Sequence, residues 1–245
     1  MLAIENTTGY AVRATRLEQD ILAAQRLRYE IFNLELGEGL ASSHRHGLDS
    51  DAFDAHCDHL VIEESATGKI IGTYRLQTGA MAAAGIGHYS ALEFDFSPYD
   101  SIRPQILELG RACIHQEHRK SSVLDLLWRG IAKYAVENGC RYLIGCSSLT
   151  SQDPDEGWAL YNLIAPKHLA DSEFRTVPLL AYQMATASGK QTAEKIPKLF
   201  ATYLHIGATI AGPPAIDRDF QTIDFLTIFD LEAIRATRKP RFLRD

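Results

Sequence analysis

The stretch ILELGRACI (residues 106–114) decides the fold, because it has the composition of a strand buried on both faces and still carries two charges. An unpaired charge in a sheet core costs several kcal/mol, so Glu108 and Arg111 must pair, reach water or face a site. Residues three apart in a regular strand lie on opposite faces. Both side chains reach one site only if a β-bulge shifts the alternation, and Gly110 is the predicted bulge residue.

Two explanations of this charge pair follow from the residues alone. In the first, Glu108 and Arg111 are ion-paired structurally, for instance with Arg75 or Asp51. In the second, which we favour, they belong to a functional site, because an acid, a base and a bulge coincide beside a helix that can bind an anion.

That helix is predicted over 122–138, with Ser122 as its N-cap, Asp125 completing a capping box and Gly139 ending it. The N-terminus of a helix carries free N–H groups and a partial positive charge. The residues expected to add donors there are Arg119, Lys120, Ser121 and Ser122. A phosphate-bearing ligand fits this position, whereas no P-loop or dinucleotide glycine fingerprint is present.

Hydrophobic periodicity predicts the surrounding elements. The predicted strands and helices are a strand at 10–16, a helix at 20–35 ended by Gly37, a hairpin of 59–65 and 70–78, a strand at 141–149, a helix at 155–169 and a last strand at 222–231. A long polar loop, 37–58, separates the first helix from the hairpin, and long loops in compact domains are commonly functional. The pattern indicates a mixed α/β sheet in a single domain, 1–245, with a core of about 10–190 and a C-terminal elaboration of about 191–245.

Composition narrows the class of protein. The chain has 245 residues, 46% of them hydrophobic, and a net charge of −6, which argues against a general nucleic-acid binder. No apolar run approaches the roughly 20 residues of a membrane span, and no signal peptide is evident. We therefore expect a cytoplasmic protein with its four cysteines free. The basic segment RATRKPRFLRD (235–245) is either a solvated end or a contact to an acidic partner or an anionic membrane surface.

Other candidate sites are weaker. The histidines and the cysteine between 44 and 59 match no compact zinc spacing, so no metal site is expected. His115 and His118 are alternative bases to Glu108, although exposed loop histidines are usually solvated. Ser147 and Ser148 lack a G-x-S-x-G elbow, which argues against a serine hydrolase.

Five motifs in order carry a family resemblance that covers about residues 10–230. ELGRACIHQEHRKSSVLDLLWRGIAKYA (108–135) resembles the central strand and pantetheine-binding helix of the GNAT acyltransferase superfamily, and within it the chain is most similar to the ornithine-lipid (hemolysin-like) N-acyltransferases, which are related to acyl-homoserine-lactone synthases. The other motifs are RYEIF with Arg28 and Phe32, SDAFDAHCDHL with Asp51 and Asp54, GTYRL with Arg75, and the ending YLHIGATIAGPPAIDRDFQTIDF (203–225). The resemblance implies a mostly antiparallel central sheet flanked by helices, with a C-terminal extension.

The resemblance also implies an acyl donor and an acceptor. Superfamily members that use coenzyme A usually carry Q/R-x-x-G-x-G/A at the pyrophosphate, whereas RKSSVL (119–124) has Ser122 and Leu124 in place of the glycines. Side chains there favour the single phosphate of acyl carrier protein over acyl-coenzyme A, and no permanently bound cofactor is implied. The acceptor implied is the amine of an amino acid such as ornithine or glycine, and a lipid product would allow peripheral contact with the inner face of the membrane.

The implied reaction is direct aminolysis of a thioester, with Glu108 as the base. Arg28 and Arg75 suit the acceptor carboxylate, and Arg111 is expected to order the acceptor side or the lid. Phe32 would form a wall of the acyl or acceptor pocket, and Asp51 and Asp54 either bind an ammonium or order an N-terminal lid. Two alternatives remain: an acyl-homoserine-lactone-type synthase, against which the C-terminal motif speaks, and a non-catalytic acyl- or lipid-binding module.

Overall fold

The computed structural model describes residues 3–6, 9–189 and 195–233, and these form a mixed α/β fold built on one sheet. The strands of the described ranges are β1 (Ala3–Asn6), β2 (Tyr10–Thr15), β3 (Asp58–Glu64), β4 (Lys69–Thr78), β5 (Ile106–Ile114), β6 (Tyr142–Leu149), β7 (Thr209–Ile210), β8 (Ala215–Asp217) and β9 (Thr222–Asp230). The α-helices are α1 (Glu18–Tyr29), α2 (Gly79–Ala84), α3 (Ser121–Glu137), α4 (Pro154–His168) and α5 (Lys198–Ile206).

The strands are ordered β1-β2-β3-β4-β5-β6-β9-β7, and β8 also pairs with β9. Every pairing is antiparallel except that between β5 and β6, which is parallel. The predicted mostly antiparallel sheet is therefore confirmed, and the last strand joins it beside β6. None of the helices in the described part of the chain is long and apolar enough to cross a membrane, and the basic segment 235–245 lies outside it.

Two apolar layers cover the sheet because its strands alternate. Leu60 and Ile62 of β3 pack in one cluster with α3, whereas Val61 between them packs in another with Leu27 of α1. A π-helical turn, Glu30–Leu36, continues α1 until Gly37, whose φ of 70° ends it as predicted. The predicted loop 37–58 contains two short 3₁₀ helices, Ala41–Arg45 and Ala52–His56.

The predicted bulge in β5 is confirmed, but Gly110 is not the bulge residue. Gly110 pairs in register with Arg75, and the next pair joins Cys113 to Thr73. One residue of β4 therefore faces two of β5, and the first of these, Arg111, has a φ of 50°. The left-handed conformation of a non-glycine residue is uncommon and is usually held in place by its surroundings.

The strands β5 and β6 separate immediately after the position that carries Glu108. Their register is Ile106 to Tyr142 through Glu108 to Ile144, and the described residues form no further pair although both strands continue. At Gly145, one residue beyond the last pair, the two backbones still lie close together, since a Cβ there would lie 2.2 Å from the carbonyl oxygen of Leu109. The β5 backbone therefore loses its neighbour on one side just where the bulge disturbs its pairing on the other.

The prediction of a Ser122 cap on α3 is wrong. The helix begins at Ser121 with Lys120 as N-cap, and no side chain caps it. Asp125 instead forms an ion pair with Arg129, at 3.0 Å, one turn along the helix. The end of the helix is as predicted, because Gly139 takes a φ of 66°.

Candidate active site

A cavity of about 570 Å³ opens where β5 and β6 separate. The bulged half of β5 forms one wall, the start of α3 and the helix α5 form another, and the end of β6 closes a third. Apolar groups such as Phe32, Leu109, Leu127 and Phe200 dominate the lining, and polar groups lie both at the β6 end and at the start of α3. An apolar cavity with a few convergent polar groups is the usual form of a small-molecule site.

Glu108 lies in this cavity as a buried carboxylate with fixed partners. Its two oxygens accept hydrogen bonds from the backbone N–H groups of Tyr89 (2.8 Å) and Ser90 (2.7 Å), and His88 Nδ1 lies 3.4 Å from Oε2. Burial alone would raise the pKa of Glu108, but His88 and the bonds from Ser90 lower it below its ordinary value. A carboxylate has about four lone-pair sites, so the ionised group keeps acceptor capacity for a ligand proton.

Three arginines and three aspartates form a buried charge network behind the bulge. Arg28 is fully buried and contacts Asp54 at 2.8 Å and Asp49 at 3.0 Å. Arg75 bridges Asp51 and Asp54, at 2.5 and 3.2 Å. The sixth member, Arg111, forms ion pairs with Asp49 and Asp51. The three positive charges of the arginines therefore balance the three negative charges of the aspartates.

The network fixes the loop 37–58 against the sheet. Asp51 caps the 3₁₀ helix Ala52–His56 by accepting from Phe53 N at 2.8 Å, and Asp54 completes a capping box. Arg28 holds Asp54 ionised: burial would raise the pKa of Asp54, and Arg28 lowers it well below its usual range.

Arg111 links this network to the cavity. Its guanidinium carbon lies 4.2 Å from the centre of the Phe220 ring and 5.0 Å from that of Tyr89, and its Nη2 lies 3.1 Å from Asp51. The two rings and the aspartates hold the side chain in place, and this accounts for the left-handed φ of the residue. Arg111 also lines the cavity, so Glu108 and Arg111 reach the same space from one strand.

The far end of the cavity lies at the start of α3. Arg119, Lys120, Ser121 and Leu124 line it, and the uncapped helix N-terminus lies there. Arg119 is held by two bonds to the carboxylate of Glu35, one of 2.8 Å, and by a 2.9 Å bond from Nε to the carbonyl of Ile114. Basic side chains and free N–H groups at one helix end can bind a phosphate.

The structure brings together most of the residues that the sequence singled out. Those that line the cavity are Glu108, Phe32, Arg75, Arg111, Arg119, Lys120 and Ser121. Three others, Arg28, Asp51 and Asp54, lie in the buried network, and Ser122 is exposed at the start of α3. The network position supports the lid-ordering role of Asp51 and Asp54 over direct contact with a substrate.

Sequence reasoning missed two groups of residues. Asp49 belongs to the charge network and stands two positions before Asp51, so the repeated aspartates of LDSDAFD (48–54) were a usable signal. His88 and Tyr89, beside Glu108, and the acids Glu38 and Asp224, on the cavity wall, come from distant segments and gave no local signal.

Comparison with known proteins defines the class. Residues 27–129 match the model of the acetyltransferase (GNAT) domain. In fold, the chain resembles the AHL synthase LasI, with a TM-score of 0.52, 13% identity and coverage of 91% of this chain and 90% of that one. It also resembles FeeM, an N-acyl amino acid synthase from uncultured soil microbes, with a TM-score of 0.51, 12% identity and 93% of each chain covered. The protein is thus an acyltransferase of the GNAT class.

Curated relatives identify the family within this class. An L-ornithine N(alpha)-acyltransferase from Agrobacterium fabrum is 32% identical over 91% of this chain and 81% of its own length. Another with that name, from Rhodobacter capsulatus, is 29% identical over 96% of this chain and 95% of its own length. The chain belongs to the L-ornithine N(alpha)-acyltransferase family.

Proposed function

We propose that this protein transfers a long-chain acyl group, 3-hydroxylated or plain, from acyl carrier protein to the α-amine of an amino acid, with L-ornithine as the preferred acceptor. The observation that carries the proposal is the cavity at the separation of β5 and β6, which joins an ionised buried carboxylate, a bulged strand and an uncapped helix N-terminus. The names of the curated relatives supply the acceptor.

In the proposed mechanism Glu108 takes a proton from the α-ammonium, directly or through a water molecule, and so makes the amine nucleophilic. The neutral amine attacks the thioester carbonyl, and backbone N–H groups of β5 beside the bulge stabilise the oxyanion. Collapse of this intermediate forms the amide and breaks the C–S bond, and the thiol leaves with the second amine proton. The lowered pKa of Glu108 means that the group is ionised at neutral pH and therefore free to accept this proton.

Arg111 is the proposed contact for the acceptor carboxylate, since it lines the cavity beside Glu108 and is held by Phe220 and Tyr89. We assign Arg75 to the same wall. The proposed role of Arg28, Asp51 and Asp54 is to hold the loop that positions both arginines.

For the donor, we propose that Arg119, Lys120, Ser121 and Ser122 receive the phosphate of the phosphopantetheine arm at the start of α3. The apolar lining of the cavity, including Leu124 and Leu127, suits the acyl chain. The side chains at 122 and 124 leave less room for a pyrophosphate than glycines would, which favours acyl carrier protein over coenzyme A. Because the product is a lipid, the proposal includes peripheral contact with the inner face of the membrane.

The test is mass spectrometry of the products that the purified protein makes. Acyl carrier proteins and coenzyme A thioesters of several chain lengths are each supplied with mixed amino acids. The proposal predicts Nα-acyl-ornithine as the main product and faster turnover of the carrier-protein thioester. Faster turnover of acyl-coenzyme A would overturn the donor assignment, and no acylated amine from any combination would overturn the transferase itself.

A further inference from the structure

Four buried acids surround the β6 end of the cavity, and none of them takes part in the proposed chemistry. Glu38 and Asp224 line the cavity, while Glu93 and Asp217 adjoin Asp224. Their exposed fractions are 7% for Glu38, 1% for Glu93 and 4% for each aspartate. Asp224 reaches this end of the cavity because β9 pairs antiparallel with β6, and Ser148 lies opposite Asp224 in that pairing.

These acids differ from the aspartates of the charge network in having no cation. Asp49, Asp51 and Asp54 each contact arginines, whereas none of the four acids has an ion-pair partner within 4.0 Å in the described ranges. The nearby Arg111 is already shared between two aspartates of the network. Buried acids without a cation have raised pKa values: burial and the neighbouring Asp224 hold the pKa of Glu93 well above its ordinary value, so Glu93 is protonated at neutral pH, whereas Asp224, with a pKa of about 6, remains mostly ionised.

Two oxygens of the group also lack a hydrogen bond. Glu93 Oε1 and Asp224 Oδ1 are buried and accept none from the described residues. Glu38 Oε2 accepts one from Thr150 Oγ1, at 2.6 Å, and Asp217 is held by two backbone N–H groups, of residues 219 and 220. Glu93 and Asp224 lie close enough to share a hydrogen bond when Glu93 is protonated, and the remaining lone pairs of Asp224 are open to a donor from outside the chain.

The same acids lie near the reacting end of the cavity. The thiol of Cys146 lies between them: its sulfur and one carboxylate oxygen each of Glu93 and Asp224 are all within 4.8 Å of one another, and the charge of Glu108 also acts on that thiol. Glu108 and Asp224 line one cavity. A small acceptor with its α-amine at Glu108 can therefore extend its side chain to Asp224.

We propose that Glu38 and Asp224, with Glu93 adjoining, bind the terminal ammonium of a diamino-acid acceptor. This inference rests on the proposed function, in which an amino acid is the acceptor. An ammonium has three donors and a positive charge, which match the carboxyl oxygens of this group and the negative charge of Asp224. Burial raises the pKa of Asp224 to about 6 and that of Glu38 to about 7, and a bound cation would favour the ionised form of both.

Calorimetric titration of the full chain with L-ornithine and with L-norvaline tests the inference without acyl transfer. The two amino acids differ only in the terminal amine. Wild-type protein is expected to bind ornithine about 10- to 100-fold more tightly, the usual range for one or two charge-assisted hydrogen bonds. Asp224→Asn should remove most of this preference and leave norvaline binding within about twofold, and Glu38→Gln should reduce the preference in the same way.

Asp230→Asn is the matched control, because Asp230 lies on the same strand but pairs with Arg141 outside the cavity. It should keep the full ornithine preference. Equal affinity of the wild type for the two amino acids, no binding of ornithine, or equal loss of both in Asp224→Asn would overturn the inference. A preference abolished by EDTA would also overturn it, since Glu93, Cys146 and Asp224 would then hold a metal ion. Acylation of ornithine and norvaline at equal rates would leave the transferase standing and contradict this subsite.

Discussion

Replacing Asp54 by Asn should destabilise the protein strongly. Asp54 accepts two bonds from Arg28, at 2.8 and 3.0 Å, one from Gln25 at 2.9 Å and one from Arg75 at 3.2 Å. An asparagine keeps one acceptor oxygen and places an NH₂ group against guanidinium donors. Removing one partner of a buried ion pair costs about 3–5 kcal/mol, because the other charge stays buried.

That loss corresponds to a fall in Tm of roughly 6–20 °C for a domain of this size. Scanning calorimetry of wild type and variant at neutral pH measures it. Asp100→Asn is the control, since the ion pair of Asp100 with Arg103 is exposed (66% and 43%) and should cost no more than about 1 kcal/mol. Because Asp54 lies outside the cavity lining and acts on the acceptor site through Arg75, any rise in the KM for the amino acid should accompany the loss of stability and not occur without it.

The effect should also depend on pH. The folded protein lowers the pKa of Asp54 below its unfolded value of 3.8, so its contribution is fully present above that pH and is lost as the pH falls further. The Tm difference between wild type and Asp54→Asn should therefore narrow in acid. A variant as stable as Asp100→Asn, or one with unchanged Tm and a large rise in KM, would refute the structural role and place Asp54 in contact with the acceptor.

Two further predictions concern Gly145, beside the point where β5 and β6 separate, and the acids at the β6 end of the cavity. Gly145→Ala places a Cβ 2.2 Å from the carbonyl oxygen of Leu109, so urea unfolding should show a loss of about 1–3 kcal/mol in the free energy of unfolding, and acyl transfer should fall at least about tenfold. Gly110→Ala is the control, because its nearest contact is 3.8 Å away and it should unfold like the wild type. Equal stability of the two variants would contradict the tight contact at Gly145. Burial raises the pKa of Glu38 from 4.5 to about 7, so the folded state binds the extra proton and wild-type stability should fall by about 3 kcal/mol as the pH rises through that window. Glu38→Gln should lack this fall when both proteins are unfolded in guanidinium chloride at pH 5 and pH 8, and an identical pH dependence would show that Glu38 titrates normally.

The parts of the fold that the sequence predicts are those set by local periodicity. The strand 106–114, the hairpin, the first helix with its Gly37 stop and the end of α3 at Gly139 all follow from patterns within a dozen residues. The predicted Ser122 cap and Gly110 bulge were wrong in their residues, since neighbouring structure decided both. Arg111 takes the left-handed conformation because aspartates and rings from other segments hold its side chain.

The same distinction between local and long-range signals applies to the site. Glu108, Arg111 and the start of α3 are close in sequence, so one stretch indicated them. The acid end of the cavity combines residues 38, 93 and 224, which only the pairing of β6 with β9 and the fold of the loop after α1 bring together. Neither composition nor spacing reveals that these acids lack cations, because charge balance is a property of the packed molecule.

The single-turnover rate of amide formation in Glu108→Gln tests the central claim most directly. The variant is mixed with acyl carrier protein thioester and ornithine, and the product is followed by mass spectrometry, with Tm and donor binding measured on the same sample to separate chemistry from folding. Loss of a general base should lower the rate about 10²- to 10⁴-fold, with donor binding retained. A folded Glu108→Gln protein that forms the amide at the wild-type rate would contradict the assignment of Glu108, beside the separation of β5 and β6, as the base.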